Sequence, residues 1–213
     1  MNGTRRPAYW ARAKRALAAS DATLARIIAE HPRVALVSRG DAFSTLARSI
    51  VGQQISVKAA DAVWGRFCAT CGELTPKSVL RRRATTLRAC GLSERKVEYI
   101  RDLCDHFING RVDPARFVEQ DDEAIIDELT DIRGIGRWTA EMFLIFNLLR
   151  PNVLPLDDLG LLRAVSLHYQ DGEPIAGREG RARVESLASS WTPWRSVATW
   201  YLWRSLDPVP VEY

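Results

Sequence analysis

Apolar residues recur at intervals of three and four along almost the whole chain. In one such run Val97, Ile100 and Leu103 are spaced in this way. The spacing matches the 3.6-residue turn of an α-helix, and few segments alternate as strands do. Start and stop signals agree with it, because Ser93 can cap the helix that contains this run and Gly110 can end it. We therefore predict an all-α fold of about ten to twelve helices.

Two prolines indicate further helix starts. Thr75-Pro76 and Asp113-Pro114 each place a proline directly after a residue that can cap a helix. Proline is favoured at the first helical position, where its missing N–H group costs nothing. We therefore expect a helix to begin at each proline.

Composition excludes several classes of protein. The 213 residues are 46% hydrophobic and 26% charged, close to the average for globular chains, which argues against long disordered segments. No apolar run approaches the roughly 20 residues of a membrane helix. Lys and Arg exceed Asp and Glu by 30 to 26. This excess permits a polyanionic partner but is too small to establish one.

The four cysteines do not form a metal-site pattern. Cys68 and Cys71 make one C-x2-C pair, but Cys90 and Cys104 are apart from it and no histidine is nearby. This spacing is typical neither of zinc sites nor of iron–sulfur clusters. We expect buried free thiols in a reducing compartment, and hence a cytoplasmic protein, nucleoid-associated in a prokaryote or nuclear in a eukaryote.

The densest signal surrounds Gly134-Ile-Gly136. A predicted helix ends near Thr130, and a second helix opens directly after the second glycine. Two glycines this close favour positive φ or close approach by another molecule. The N–H groups of Gly136, Arg137 and Trp138 would face outward at the positive end of a helix dipole, which is a site for one DNA phosphate. On the glycines alone, an ordinary tight turn between helices is the more frequent explanation.

Two adjacent carboxylates form the second signal. Asp157 and Asp158 follow a proline-containing loop and precede an apolar helix. Helix capping explains one of them but not both. A carboxylate beside a helix N-terminus stays ionised, so it can stabilise a developing cation or orient a water molecule.

Tryptophans form the third signal. Four of the seven tryptophans lie within thirteen residues: Trp191, Trp194, Trp200 and Trp203. Their spacing aligns partners on helix faces, so we expect at least two of the four to be core residues. A tryptophan near a cleft, including Trp138 beside the glycine turn, can instead stack on a cationic nucleobase.

Five ordered segments between Phe43 and Trp203 together resemble the 3-methyladenine DNA glycosylase II family of the helix-hairpin-helix-GPD superfamily. Five motifs in one order are far more specific than any one of them. They are Gly52-Gln53-Gln54-Ile55-Ser56 with Ala59-Ala60, Gly91-Leu92-Ser93 followed by Lys96, Gly134-Ile135-Gly136-Arg137-Trp138-Thr139-Ala140, Leu154-Pro155-Leu156-Asp157-Asp158-Leu159-Gly160, and Trp191 with Pro193-Trp194-Arg195-Ser196.

The resemblance implies a two-lobed helical fold with the active cleft between the lobes. The implied central lobe, which carries the hairpin, is 41–151, and the terminal segments 1–40 and 152–213 would pack together. The implied activity is that of a monofunctional glycosylase of base excision repair. Such an enzyme flips an alkylated purine, such as 3-methyladenine or 7-methylguanine, out of the duplex and hydrolyses its N-glycosidic bond.

Site residues follow from the same resemblance. Asp158 falls on the catalytic Asp, which would stabilise the sugar cation and orient water, and Asp157 would be a helix cap or a supporting group. Trp138, Met142 and Trp203 match positions of the base pocket. Because Trp138 stands where the bifunctional branches have a Schiff-base lysine, no lyase activity is expected.

The implied partner is double-stranded DNA with damaged bases, bound by a monomer away from any membrane. Gln54 would fill the gap left by the flipped nucleotide. The residues implied in DNA binding are Gln53, Gln54, Ser56, Gly134, Gly136, Arg137, Trp138 and Thr139.

No organic cofactor and no iron–sulfur cluster are expected. The resemblance implies one monovalent cation, Na⁺ or K⁺, at the backbone carbonyls of Thr130, Ile132 and Ile135, beside the DNA phosphate.

Other functions remain open on the sequence. A non-catalytic helix-hairpin-helix protein would use the hairpin to hold phosphate and the aspartates only as caps. A helical interaction protein would bury all its tryptophans and show no salt-sensitive affinity for DNA. A glycosylase for mismatched or oxidised bases is the alternative within the enzyme class.

Overall fold

The computed structural model describes residues 6–32, 35–38 and 40–206, and within them the all-α prediction is confirmed. These residues form twelve α-helices and one short 3-10 helix, with no strand. No helix in this described part is long and apolar enough to span a membrane. The helices are α1 (Trp10–Ser20), α2 (Ala22–Glu30), α3 (Ala42–Gly52), α4 (Val57–Cys71), α5 (Pro76–Leu80), α6 (Ala84–Ala89), α7 (Glu94–Ile108), α8 (Asp122–Thr130), α9 (Arg137–Phe146), α10 (Leu159–Tyr169), α11 (Gly177–Ala188) and α12 (Arg195–Leu206), with the 3-10 helix at Ser189–Trp191.

The chain folds into two compact units. The terminal unit contains the described residues up to Ser38 and from Leu144 onward, and the central unit contains residues 40–143. The central lobe implied by the resemblance extends to residue 151, whereas the central unit ends at Phe143. The stretch 144–151 therefore belongs to the terminal unit.

Asp21 joins three elements of the terminal unit. Its Oδ1 accepts the backbone N–H of Leu24 at 2.9 Å and caps α2. Its Oδ2 accepts the hydroxyl of Tyr169 at 2.8 Å and the indole N–H of Trp191 at 3.0 Å. A buried indole or phenol group costs free energy unless it finds such a partner, so this carboxylate fixes α10 and the 3-10 helix against α2.

The C-terminal tryptophans are mostly core residues. Trp191 is fully buried, and Trp194 and Trp200 are 9% and 7% exposed, which confirms the prediction that at least two of the four are structural. Trp200 meets Trp10 edge to face, with ring centroids 5.3 Å apart. Trp203 differs from these three, because it is only half-buried.

Helix α7 is the centre of the central unit, where it packs against α3, α5 and α6. Ser93 caps it by accepting the N–H of Lys96, and Gly110 takes a φ of +68° just after its end, as the sequence predicted. The ring of Phe107 lies edge to face against Phe43 of α3 at 5.4 Å. The apolar side of α7 thus anchors the unit, and its other side is left for polar contacts.

One of the two predicted proline starts is wrong. Helix α5 does begin at Pro76, capped by Thr75. The segment after Pro114 forms turns instead, joined by bonds such as that from the Phe117 N–H to the Pro114 carbonyl. The next helix, α8, begins only after its cap at Asp121.

All four cysteines are free thiols. Cys71, Cys90 and Cys104 are buried and Cys68 is half-buried. Burial raises the pKa of the Cys104 thiol to about 12. A protonated, buried thiol of this kind is inert as a nucleophile.

Candidate active site and DNA-binding hairpin

Asp158 lies at the start of α10 in the terminal unit. Its side chain is only 4% exposed, and its Oδ1 accepts the N–H of Leu161 at 2.7 Å. The extended backbone of Asp158, with φ −77° and ψ 115°, makes it the N-cap of the helix. The site therefore contains a buried carboxylate held in the positive field of a helix N-terminus.

Asp157 was expected to be a helix cap or a supporting group, and the first of these two roles is wrong. Its carboxylate is 61% exposed and pairs with the Nε of Arg181 at 2.8 Å. The cap role falls to Asp158 because only one residue can occupy the N-cap position, and there the chain turns from extended to helical backbone. The two adjacent carboxylates thus differ sharply in environment, one buried and one at the surface.

Trp203 is bound to Asp158. The indole N–H of Trp203 donates to Oδ1 of Asp158 at 2.7 Å. Its ring stacks on Phe146, with centroids 5.7 Å apart and planes 11° from parallel. Sequence reasoning assigned Trp203 to the base pocket and did not predict either contact. Both place Trp203 as a fixed wall of the carboxylate site.

Gly160 makes room for this arrangement. A Cβ atom at Gly160 would lie 3.0 Å from Cδ1 of Trp203 and 3.1 Å from Oδ1 of Asp158. Gly160 ends the Leu154–Gly160 segment of the family resemblance, and no role was predicted for it. The signal was present, because glycine in the first turn of an apolar helix is costly unless a close contact requires it.

The hairpin lies in the central unit, between the end of α8 at Thr130 and the start of α9 at Arg137. Gly134 takes a φ of +88°, and a Cβ there would overlap the ring of Tyr99. Gly136 has no positive φ, and nothing lies within 4 Å of the position of its Cβ. The positive-φ explanation thus applies to Gly134 alone, and Gly136 borders open space.

Hydrogen bonds fix the hairpin on both sides. The N–H of Arg133 donates to Oδ2 of Asp102 at 2.8 Å. The amide group of Gln53 donates to the carbonyl of Gly134 at 2.8 Å. Gln53 was predicted to contact DNA, and its amide group is used within the protein. Its binding to DNA stays a prediction.

Arg137 was predicted to hold a DNA phosphate, and the structure gives its guanidinium carboxylate partners. Two of its nitrogens donate to the carboxylate of Glu123, at 2.9 and 2.5 Å, and its Nε donates to Glu141 at 3.1 Å. The hydrogen bond from Arg137 lowers the pKa of the Glu123 carboxyl. A phosphate would therefore have to compete with two carboxylates for this side chain.

The other predicted site residues of α9 lie in its first turns. Trp138 is half-buried, whereas Thr139 and Met142 are buried, at 9% and 6% exposure. At this exposure, Thr139 has little hydroxyl surface for DNA, and its role in binding stays a prediction. So does the role of Trp138 and Met142 in a base pocket.

The loop from Gln53 to Ser56 links α3 to α4. Gln54 is exposed and takes a φ of +59°, a left-handed conformation that is uncommon for a side chain of this kind. Ser56 caps α4 by accepting the N–H of Ala59 at 3.3 Å. Ile55 and Val57 are 41% and 53% exposed. The loop thus presents a polar residue in a left-handed conformation beside exposed apolar side chains, and the role of Gln54 and Ser56 in DNA binding stays a prediction.

The carbonyls implied in cation binding lie in the hairpin. That of Ile132 accepts the N–H of Ile135 at 3.0 Å, which leaves its second lone pair for another ligand. Among the residues that the structure describes, no three His, Cys, Asp or Glu side chains come together as metal ligands. Cation binding by the carbonyls of Thr130, Ile132 and Ile135 stays a prediction.

Known proteins share this fold. The crystal structure of a DNA-3-methyladenine glycosidase from Bacillus halodurans is 37% identical, over 90% of this chain and 88% of that chain, with a TM-score of 0.81. A 3-methyladenine DNA glycosylase from Schizosaccharomyces pombe, solved in complex with abasic DNA, is 28% identical over 95% and 98% of the two chains, with a TM-score of 0.76.

Sequence comparison gives the same relationship. The DNA-3-methyladenine glycosylase 1 of Schizosaccharomyces pombe is 33% identical over 174 residues, which are 79% of this chain and 74% of the relative. Residues 47–190, more than half of the chain, match the model of the HhH-GPD superfamily base excision DNA repair protein family. The protein therefore belongs to the helix-hairpin-helix-GPD superfamily of base excision DNA repair proteins.

Proposed function

We propose that this protein is a monofunctional DNA glycosylase that removes alkylated purines such as 3-methyladenine and 7-methylguanine. One observation carries the proposal: the carboxylate of Asp158 is buried and fixed at a helix N-terminus, in a chain of the base excision repair family. Relatives named DNA-3-methyladenine glycosylase support the substrate class.

The chemistry needs little acid catalysis. An alkylated purine already carries positive charge, so it leaves readily and the sugar becomes an oxocarbenium-like cation. Asp158 stabilises that cation and orients the attacking water. A preorganised carboxylate in a water-poor site supplies a few kcal/mol, and each 1.36 kcal/mol is about tenfold in rate.

Selection of the damaged base relies on the opening of its base pair and on the stacking of the flipped base. Damaged pairs cost less to open than sound ones. An aromatic face at Trp138 attracts an electron-poor base by stacking and by cation–π attraction. Because Trp138 is not a lysine, it forms no Schiff base, and we propose that the protein lacks lyase activity.

The DNA backbone is held by the hairpin. Helix α9 begins at Arg137, directly after the hairpin, and the N–H groups at the start of a helix point along its axis and suit a phosphate. Such contacts carry no sequence information and weaken steeply with salt. We further propose that the protein binds double-stranded DNA as a monomer and holds Na⁺ or K⁺ at the hairpin carbonyls of Thr130, Ile132 and Ile135.

The test is release of methylated bases from duplex DNA by the wild type and by Asp158→Asn. The hydrogen bonds from Leu161 and Trp203 both end on Oδ1 of Asp158, so an asparagine oxygen in the same place keeps the helix cap and the Trp203 contact while the negative charge is removed. We expect release by the wild type alone, with strand breaks appearing only after alkali.

Asp157→Asn is the matched control. It makes the same chemical change one residue earlier, on the exposed carboxylate that pairs with Arg181. We expect near-wild-type release from it, since an exposed ion pair contributes little. Intact DNA binding without release by the wild type would favour the non-catalytic DNA-binding protein. Release of oxidised or mismatched bases only would favour another lesion class.

A further inference from the structure

One face of α7 carries four polar side chains that all meet the segments predicted to touch DNA. Lys96, Tyr99, Asp102 and His106 follow one another at spacings of three, three and four, so they form a single stripe along the helix. The stripe and the segments it meets lie in the central unit. Its members contact either the Gln53–Ser56 loop or the hairpin.

Lys96 binds the end of α3. Its Nζ donates to the carbonyl of Val51 at 2.7 Å and to the carbonyl of Gln53 at 2.7 Å. The last carbonyls of a helix have no partner within the helix, and a cation is favoured there by the helix dipole. Burial lowers the pKa of Lys96, which fits an ammonium group directed inward. Its contacts are those of a helix C-terminal cap.

The residue after this cap is Gln54, with its φ of +59°. A left-handed conformation is unfavourable for an L residue and persists only where the surroundings determine it. Gln53 is held at its carbonyl by Lys96 and at its side chain by the carbonyl of Gly134. These two bonds leave the chain little freedom at Gln54.

The same stripe continues to the hairpin. The ring of Tyr99 fills the space beside Gly134, and Asp102 accepts the N–H of Arg133. His106, further along the stripe, bonds Oδ2 of Asp131 at 3.0 Å. The hairpin and the Gln53–Ser56 loop therefore share one support, and the bond from Gln53 to Gly134 closes the link between them.

We propose that Lys96 is a positioning residue that locks the Gln53–Ser56 loop to the hairpin, so that Gln54 and the phosphate-binding amides meet DNA as one rigid surface. Its role in DNA binding rests on the proposed function. The ordinary alternative for a lysine in a DNA-binding protein is a direct phosphate contact.

The first test is hydrogen exchange in Lys96→Met, which keeps the aliphatic stem and removes the ammonium group. The amides of Gln53, Arg133 and Ile135 each donate a bond in the structure and report on the loop and the hairpin. We expect them to exchange about tenfold faster, because the removed group made charge-assisted hydrogen bonds. Lys77→Met, on the exposed surface of α5, is the control and leaves these amides unchanged.

A double-mutant cycle tests the link itself. Gln53→Glu keeps the size of the side chain but points a carboxylate at the carbonyl of Gly134. If Lys96 acts through Gln53, the double variant exchanges no faster at Arg133 and Ile135 than the faster single variant. Additive effects would overturn the inferred link.

The second test separates positioning from phosphate binding. Affinity for DNA falls with salt concentration, and removing one phosphate contact makes the plot of log affinity against log salt less steep by about 0.9. Removing a positioning residue leaves the steepness unchanged. We expect Lys96→Met to keep the wild-type slope and to release methylated bases about tenfold more slowly. A less steep salt dependence together with unchanged hydrogen exchange would overturn the proposal and make Lys96 a phosphate ligand.

The exchange measurement involves neither DNA nor activity. If the wild type released no base, the proposed function would fail while the exchange data still decided whether Lys96 supports the hairpin. Unchanged exchange at Gln53, Arg133 and Ile135 would overturn the inference whatever the rate of base release.

Discussion

Oδ1 of Asp158 accepts two hydrogen bonds of 2.7 Å, one from the backbone of its own helix and one from the indole of Trp203 in α12. The first is the N-cap bond of α10, from the N–H of Leu161. Two donors from separate elements fix the plane and direction of the carboxylate. A group so preorganised needs no reorganisation when positive charge develops nearby.

Trp203→Phe removes the indole donor and keeps an aromatic ring over Phe146. We expect base release to fall about tenfold or more, since a hydrogen bond to a charged group contributes about 1.5–3 kcal/mol. The melting temperature falls as well, because the same hydrogen bond stabilises the folded protein, although the stacked contact on Phe146 survives. Single-turnover release and thermal unfolding check this. Trp64→Phe, in the central unit, is the aromatic control, and an equal loss of activity in both variants would contradict the assigned role.

Gly160→Ala and Gly65→Ala make the same change in two helices. At Gly160 the new Cβ presses on Trp203 and Asp158, whereas at Gly65 nothing lies within 4 Å. Alanine stabilises a helix interior by about 1 kcal/mol relative to glycine. We expect Gly65→Ala to raise the free energy of unfolding by about that amount with normal activity. We expect the free energy of unfolding of Gly160→Ala to rise less than that of Gly65→Ala, and its rate of base release to fall about tenfold.

Denaturant unfolding and single-turnover kinetics on the same two proteins decide between these outcomes. Normal activity in Gly160→Ala would show that the carboxylate tolerates a shift of its indole partner.

Gly134→Ala and Gly136→Ala separate folding from DNA contact in the hairpin. We expect Gly134→Ala to lower the free energy of unfolding by about 2 kcal/mol or more, through the left-handed φ and the clash with Tyr99. Gly136→Ala leaves stability within about 0.5 kcal/mol but lowers DNA affinity several-fold, because the methyl group occupies the space of an approaching phosphate. Urea titration and fluorescence anisotropy measure the two effects. Wild-type DNA affinity in Gly136→Ala would show that no phosphate binds at this position.

His168 makes the terminal unit sensitive to acid. Its Nδ1 lies 3.3 Å from the guanidinium of Arg26, which can only donate, and its Nε2 lies 2.7 Å from Oγ of Ser205. These contacts suit the neutral ring. Burial, and then the charge of Arg26, lowers the pKa of His168 from 6.5.

As the pH falls below 6.5, the unfolded chain takes up a proton at this site before the folded protein does. The free energy of unfolding falls as pH drops below that value and levels off below the folded pKa. We expect His168→Gln to lose less stability than the wild type between pH 7.5 and pH 5, about the range in which histidine titrates. Urea unfolding at the two pH values measures this. Equal losses in both proteins would mean that other groups set the acid response.

Local patterns account for much of the fold. Ser93 and Gly110 bound α7 as predicted, because capping and left-handed turns involve only residues near in sequence. The same reasoning failed at Pro114, after which the chain forms turns instead of a helix. It also failed to identify which of the adjacent carboxylates is the cap, because either aspartate satisfies the cap pattern and only the three-dimensional structure shows that Asp158 is the cap.

Periodicity, capping and ordered motifs are properties of the chain, so the all-helical class, the hairpin with its glycines and the family follow from the sequence alone. Helix packing alone establishes that Trp203 binds Asp158, that Arg137 pairs with Glu123, and that α7 supports the hairpin. Those contacts join residues 14 to 45 positions apart, including Arg137 with Glu123 and Trp203 with Asp158. Their geometry depends on how whole helices pack, and no local sequence pattern records it.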